Sequence, residues 1–363
     1  MKNIFFNILF CLIFLAAVIS ASAQSGKIIN DEIHAVSLEG NLIGDSPKRS
    51  VLIYLPPNYD RQTKVRYSVV YLLHGFTGRI ANKTWIIENE GLRMHIGATM
   101  NKLIAAGKIS PMIVVMPDGS NKFGGSFYTN SITTGNWEDF ITRDLVGYID
   151  KKYRTLPKAA SRGIAGHSMG GYGAIKLAMK HPDIYGAVYG TSTCCLDYYP
   201  SRMPKMFFEE AAAIKSWEEV EKASFFARTF LANAAAWSPN PAKPPFFAVF
   251  PIGKNSEQDV AAENAEARWL ANTPMWMVDQ YRTNLIQLRG IAFDVSTKEE
   301  LINSIREFSE KLKRIKIQHA FEEFDGDHIN KVAERIETRI MPFFSRTLVF
   351  QQSSKNASAN KTK

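Results

Sequence analysis

The 363-residue chain is poor in cysteine: only Cys11, Cys194 and Cys195 occur. One cysteine in an apolar leader and one adjacent pair cannot form the distributed disulfide framework that staples a small secreted domain. No Cys/His cluster has the spacing of a zinc site, so no metal is expected. Cys194 and Cys195 read as small buried side chains near the end of a strand, with a strained vicinal disulfide as the alternative. Past the first residues there is no apolar run long enough to span a bilayer, which excludes a stable membrane span once the leader is removed. Internal repeats are absent as well. The formal net charge of +9 is spread along the chain rather than gathered in an arginine-rich stripe, so no nucleic-acid partner is expected. What remains, 45% hydrophobic and 22% charged residues, is the composition of a globular protein with a sizeable core.

Residues 1–23 combine the basic start Met1-Lys2, an apolar run from Ile4 to Ile19 and the small-residue end Ala21-Ser22-Ala23. This is the pattern of a secretory signal peptide cut after Ala23, and it predicts a secreted or periplasmic protein. Phe10 stands before Cys11 where a lipidated cysteine would need a small residue. At the other end, residues 351–363 are polar and rich in Ser, Asn and Lys, too poor in apolar groups to offset the entropy of ordering, and are expected to be disordered.

Between these ends, residues 24–350 alternate strand-like and helix-like segments. Apolar or alternating runs fall at 33–38, 49–55, 67–73, 112–116, 162–165, 186–189, 285–293 and 319–324. Helical periodicity fits 94–107, 137–153, 172–181, 298–313 and 329–348. The alternation predicts an α/β fold, a mostly parallel central sheet flanked by helices, with functional groups in loops at the carboxyl ends of the strands. Residues 196–281, helical, aromatic-rich and carrying Pro239, Pro241, Pro244 and Pro245, interrupt the pattern and read as an inserted, cap-like segment.

The sharpest chemical signal is Gly166-His167-Ser168-Met169-Gly170-Gly171, placed after the apolar run Gly163-Ile164-Ala165 and before a helix-like stretch. A G-x-S-x-G between strand and helix presents a serine on a tight turn, where glycines avoid Cβ clashes and the helix N-terminus faces any oxyanion. A serine hydroxyl needs a base, an acid to orient that base, and oxyanion donors. Of seven histidines, His328 follows the turn Asp325-Gly326-Asp327 after the last strand, the position that the order Ser, acid, His assigns to the base. His167 is expected to point away from the elbow; His34, His95, His181 and His319 lack matching context. For the acid, Asp294 at a strand end and Glu299 five positions on are both open. The amides of Met169 and of Phe76, in Leu73-His74-Gly75-Phe76 after an early strand, are the expected oxyanion donors. Trp85, Phe127 and Tyr128, with Phe123, are candidates for lining a substrate site.

Leu73-His74-Gly75-Phe76, Trp137-Glu138-Asp139-Phe140 with Tyr148-Ile149-Asp150, the elbow through Ala174, and Gly326-Asp327-His328 together resemble the esterase D and feruloyl esterase branch of the α/β-hydrolases, which is related to the mycolyltransferase antigens. The likeness covers most of residues 24–350 outside the insertion. It implies the α/β-hydrolase fold, Ser168 as nucleophile, His328 as base and the Phe76 and Met169 amides as the oxyanion hole. It favours Glu299 over Asp294 as the acid, because the family's acid lies several residues past the strand end; relatives commonly have Asp there, and the mycolyltransferases Glu. The implied activity is cofactor-free hydrolysis of a small-molecule or carbohydrate-linked ester through an acyl-enzyme. Acyl transfer to a sugar hydroxyl is the alternative, and an inactive carbohydrate-binding module a more remote one.

Overall fold

The computed structural model describes residues 25–78, 95–199, 205–251 and 258–351. The leader 1–23, Trp85 and residues 352–363 therefore lie outside the described residues. Eight strands form the main sheet. They are β1 (Lys27–His34), β2 (Lys48–Leu55), β3 (Val69–Leu73), β4 (Ile113–Pro117), β5 (Arg162–His167), β6 (Ala187–Thr191), β7 (Gly290–Ser296) and β8 (Ala320–Phe324). Their order across the sheet is 1-2-4-3-5-6-7-8. β2 runs antiparallel to β1 and β4, and every pairing from β4 across to β8 is parallel.

The central strands are continuous apolar runs because helices cover both faces, leaving no solvent side to mark with polar residues. The period of two then sorts each strand between two cores. Val69, Tyr71 and Leu73 of β3 join Ile113, Val115 and Ile164 on one face, while Val70 and Leu72 join Val114, Met116 and Ala165 on the other. Helices α2 (Leu145–Lys152), α3 (Met169–Lys180) and α8 (Ile302–Arg314) cover the first face. The second carries α1 (Ile96–Ala105) and the C-terminal helical run, which passes through a π-turn at Ile336–Ile340 into α9 (Met341–Thr347). The inserted segment supplies α4 (Lys205–Ala213), α5 (Trp217–Lys222), α6 (Phe225–Trp237) and α7 (Gln258–Ala271). No described helix is long and apolar enough to cross a membrane.

Two expected strands are displaced. β1 occupies Lys27–His34, and Val36–Leu38, expected as strand, is a 3-10 turn. His34 already pairs with Lys48 at the start of β2, so no partner strand remains beyond it. The apolar run at 285–293 also straddles two elements: Arg282–Gln287 is a helix, and pairing with β6 begins only at Gly290. Short apolar runs do not by themselves distinguish helix from strand.

Candidate active site

β5 ends at His167 and α3 begins at Met169, leaving Ser168 alone in the turn at φ 55° and ψ −119°. A residue with a Cβ is strained there, and neighbouring backbone holds it in place. The Ser168 N–H donates to the Thr191 carbonyl at 3.1 Å, and the Ser168 carbonyl accepts from Tyr172 N–H at 3.0 Å and Cys194 N–H at 3.3 Å. Two glycines are required by close approach. A Cβ on Gly166 would lie 2.2 Å from the Gly170 carbonyl carbon, and one on Gly170 would lie 2.2 Å from the Leu73 carbonyl oxygen. The twelve-residue helix α3 directs its N-terminal partial positive charge at the same place.

His328 follows β8 on a turn closed by Asp327, whose Oδ1 accepts the N–H groups of Ile329 and Asn330 at 2.8 Å each. Its Nδ1 lies 2.5 Å from Glu299 Oε2. Glu299 Oε1 in turn accepts from the Ser192 hydroxyl at 2.7 Å and from Ser296 N–H at 2.8 Å. The Glu299 side chain is 4% exposed, against 37% for His328. Burial pushes the Glu299 pKa up, but the hydrogen bonds from His328 and Ser192, with the His328 charge and Ser296 N–H, outweigh it and hold the carboxyl below its ordinary value. An ionised Glu299 fixes Nδ1 as the donor and leaves Nε2 as the acceptor a base requires.

Asp294 is engaged elsewhere. β7 continues past Phe293 to Ser296, so Asp294 lies within the sheet, opposite Thr191 of β6 and Glu322 of β8. Its Oδ2 accepts from the Tyr189 hydroxyl and from Arg335 Nε, both at 2.8 Å, and the residue is fully buried. Of the two carboxylates the sequence leaves open, Glu299 is the one bonded to His328.

The loop after β3 lies against the elbow: a Cβ on Gly75 would be 3.2 Å from that of Ser168. His74, fully buried, pins this loop, its Nδ1 on the Gly75 carbonyl at 2.8 Å and its Nε2 accepting Gly119 N–H at 2.8 Å. Met169 N–H is the first of α3, one of the N-terminal donors that have no partner within the helix, and Phe76 follows Gly75 on the loop that lies against the elbow.

Ser168 and His328 open onto a cavity of about 380 Å³. Phe76 and Phe127, with Tyr198, Phe225 and Phe226 of the inserted segment, form much of its apolar wall. Lys298, Glu300 and Asp327 give it a charged rim. The insertion is fastened to α3: the Tyr172 hydroxyl donates to the Asn272 carbonyl at 2.8 Å, and Lys176 Nζ reaches Asn272 Oδ1 at 2.8 Å and Thr129 Oγ1 at 2.7 Å. Burial lowers the Lys176 pKa to about 7, against the opposing pull of Glu138.

Three side chains lie elsewhere than the sequence suggests. Phe127 lines the cavity, but Tyr128 does not: its hydroxyl donates to the His74 carbonyl at 2.9 Å from beneath the loop. Phe123 lies in the core against Trp217 and Phe246. His167, expected to point away, instead bonds through Nε2 to the His328 carbonyl at 2.7 Å, with the two rings 4.7 Å apart. Its burial, reinforced by His328, lowers its pKa to about 3 and keeps it neutral, so it holds the His328 backbone without competing for protons. Strand alternation carries no sign of this, because the partner loop arrives more than a hundred residues later. Ser192, the support of Glu299, had one available signal: it follows a parallel strand beside β5 at the carboxyl edge of the sheet.

Residues 46–332 match the family described as Putative esterase. Esterase Rv1288 of Mycobacterium tuberculosis is 27% identical over 298 residues, 79% of this chain and 53% of that protein, so the chain spans about half the length of the curated relative. An endo-1,4-beta-xylanase/feruloyl esterase of Xylanibacter ruminicola is 34% identical over 141 residues, 37% of this chain and 18% of that one. Among solved structures, a ferulic acid esterase superposes with a TM-score of 0.61 at 21% identity, covering 90% of this chain and 100% of its own. MPT51 of Mycobacterium tuberculosis superposes at 0.54 with 15% identity, covering 89% and 99%. The fold is that of the α/β-hydrolase esterases, and the chain belongs to the Putative esterase family.

Proposed function

We propose that the chain is a serine carboxylic-ester hydrolase that works through an acyl-enzyme. The observation that carries this reading is the 2.5 Å contact between Glu299 and His328 Nδ1, on the cavity where the strained Ser168 is presented. Ser168 Oγ attacks the ester carbonyl carbon while His328 Nε2 takes its proton, and Glu299 stabilises the imidazolium. The Phe76 and Met169 amides receive the developing oxyanion. Collapse returns the proton to the departing alcohol, and a water activated by the same histidine releases the acid. The apolar wall suits an aromatic or other apolar acyl group, and the charged rim suits a polar alcohol such as a sugar. Acyl transfer to a sugar hydroxyl would use the same residues; acyl-sugar products formed with an added sugar would identify it. Ser168→Ala should lower turnover of p-nitrophenyl acetate by at least about 10⁴-fold and abolish labelling by a fluorophosphonate; full activity in this variant would refute the assignment. Export through the leader 1–23 belongs to the same reading, and its check is an N-terminus at Gln24 in protein recovered outside the cytoplasm.

A further inference from the structure

We propose that Cys194 and Cys195 are a reactive vicinal dithiol in the substrate cavity, which a small-molecule disulfide converts to an intrachain bridge that lowers ester turnover. The two side chains are neighbouring free thiols with their sulfurs in contact, and both residues line the cavity that holds Ser168 and His328. The proposed ester chemistry uses neither. Cys194 is partly exposed, whereas Cys195 is only 4% exposed, which sets the order of reaction. The Cys194 thiolate attacks one sulfur of the reagent and releases one thiol, giving a mixed disulfide. The Cys195 thiol then gives up its proton to solvent and attacks the Cys194 sulfur, releasing the second thiol. Two protein thiols are oxidised and one reagent disulfide is reduced to two thiols, with no other co-reactant. Burial holds the Cys195 thiol in its protonated form, so the closing step is the slower one.

The bridge acts on turnover through the segment that carries it. Thr191 and Cys194 hydrogen-bond the amide and the carbonyl of Ser168, and Ser192 hydrogen-bonds Glu299. Ser192 and Cys195 already sit at φ 44° and 60°. Consecutive Cα atoms are about 3.8 Å apart, whereas disulfides usually span about 4.4–6.8 Å, so closure between neighbours strains this segment. The strain reaches the nucleophile and the acid together and makes the bridge easily reduced.

The turnover effect rests on the esterase reading; bridge formation does not, and the test separates them. The reduced full-length protein is incubated with oxidised glutathione, then assayed on p-nitrophenyl acetate and mapped by peptide mass spectrometry after alkylation. The expected result is a Cys194–Cys195 bridge, a fall in turnover of about tenfold or more, and recovery with dithiothreitol. Cys195→Ser should stop at the glutathione adduct on Cys194, and Cys194→Ser should resist the reagent, each compared with itself before treatment. Ser168→Ala should form the bridge as readily as the parent. Absence of the bridge in the parent protein would overturn the proposal, and so would a bridge that leaves turnover unchanged. Inactivity of the reduced parent on esters would instead count against the esterase reading, leaving the mass result to decide the dithiol chemistry.

Discussion

Ser168, Glu299 and His328 stand on turns at the carboxyl edge of the sheet, held by backbone and carboxylate hydrogen bonds of 2.5–3.3 Å. Tyr198, Phe225 and Phe226 face the same cavity from the inserted segment, held by ring contacts: Tyr198 lies 5.7 Å from Trp237, and Phe226 stacks on Phe207 at 4.8 Å. Hydrogen-bonded turns fix direction and distance, which proton transfer needs, whereas aromatic packing fixes volume and tolerates rearrangement. On the proposed reading, the difference assigns chemistry to one region and substrate choice to the other.

The largest effects should come from the sheet edge. Glu299→Gln is expected to lower kcat by about 10⁴-fold and, because the fold holds this carboxyl below its ordinary value, to lower stability at neutral pH as well. Asp294→Asn should leave kcat of the folded enzyme near the parent value, because this side chain meets Tyr189 and Arg335 rather than His328. Steady-state kinetics with urea unfolding of both variants tests this, and a silent Glu299 change would reverse the assignment. Next, His167→Leu should lower kcat by about 10²-fold with little change in KM, since it frees the His328 backbone rather than reshaping the cavity, and His167→Gln should restore part of the loss. Equal kcat in the two variants would remove the tether from the account.

Smaller effects should come from the insertion. Phe225→Ala, which removes a ring 5.7 Å from Phe76, is expected to raise KM for aryl-acyl esters by about tenfold at nearly constant kcat. A kcat loss instead would mean that the wall also positions the ester. Lys176, at the joint between the regions, gives a pH signature. Its folded-state pKa of about 7 lies below the ordinary 10.5, so between these values the unfolded chain binds the extra proton and stability rises with pH. Lys176→Met should flatten this rise, measured as urea midpoints from pH 7 to pH 10; a parent curve without the rise would disprove it.

Much of the architecture is legible in local pattern because its causes are local. The buried runs at 67–73, 112–116 and 162–165 correspond to central strands, and the glycines around Ser168 announce a contact that only glycine allows. Legibility fails where an element depends on its neighbour. Val36–Leu38 turns because β2 has no residue left to pair with it, and Leu285 is helical although it begins an apolar run. The aromatic candidates divide for the same reason: Phe127 and Tyr128 are adjacent and similar, yet one meets the cavity and the other supports His74.

By itself, the sequence determined that a serine stands between a strand and a helix, that a histidine follows the last strand, and that a mostly parallel sheet connects them. Each of these follows from periodicity, glycine spacing and chain order. Only the tertiary structure decided that Glu299 rather than Asp294 meets His328, that His167 bonds the His328 carbonyl, and that an adjacent cysteine pair shares a cavity with Ser168. Those outcomes depend on register and on which strand ends converge, and residues far apart in sequence set both.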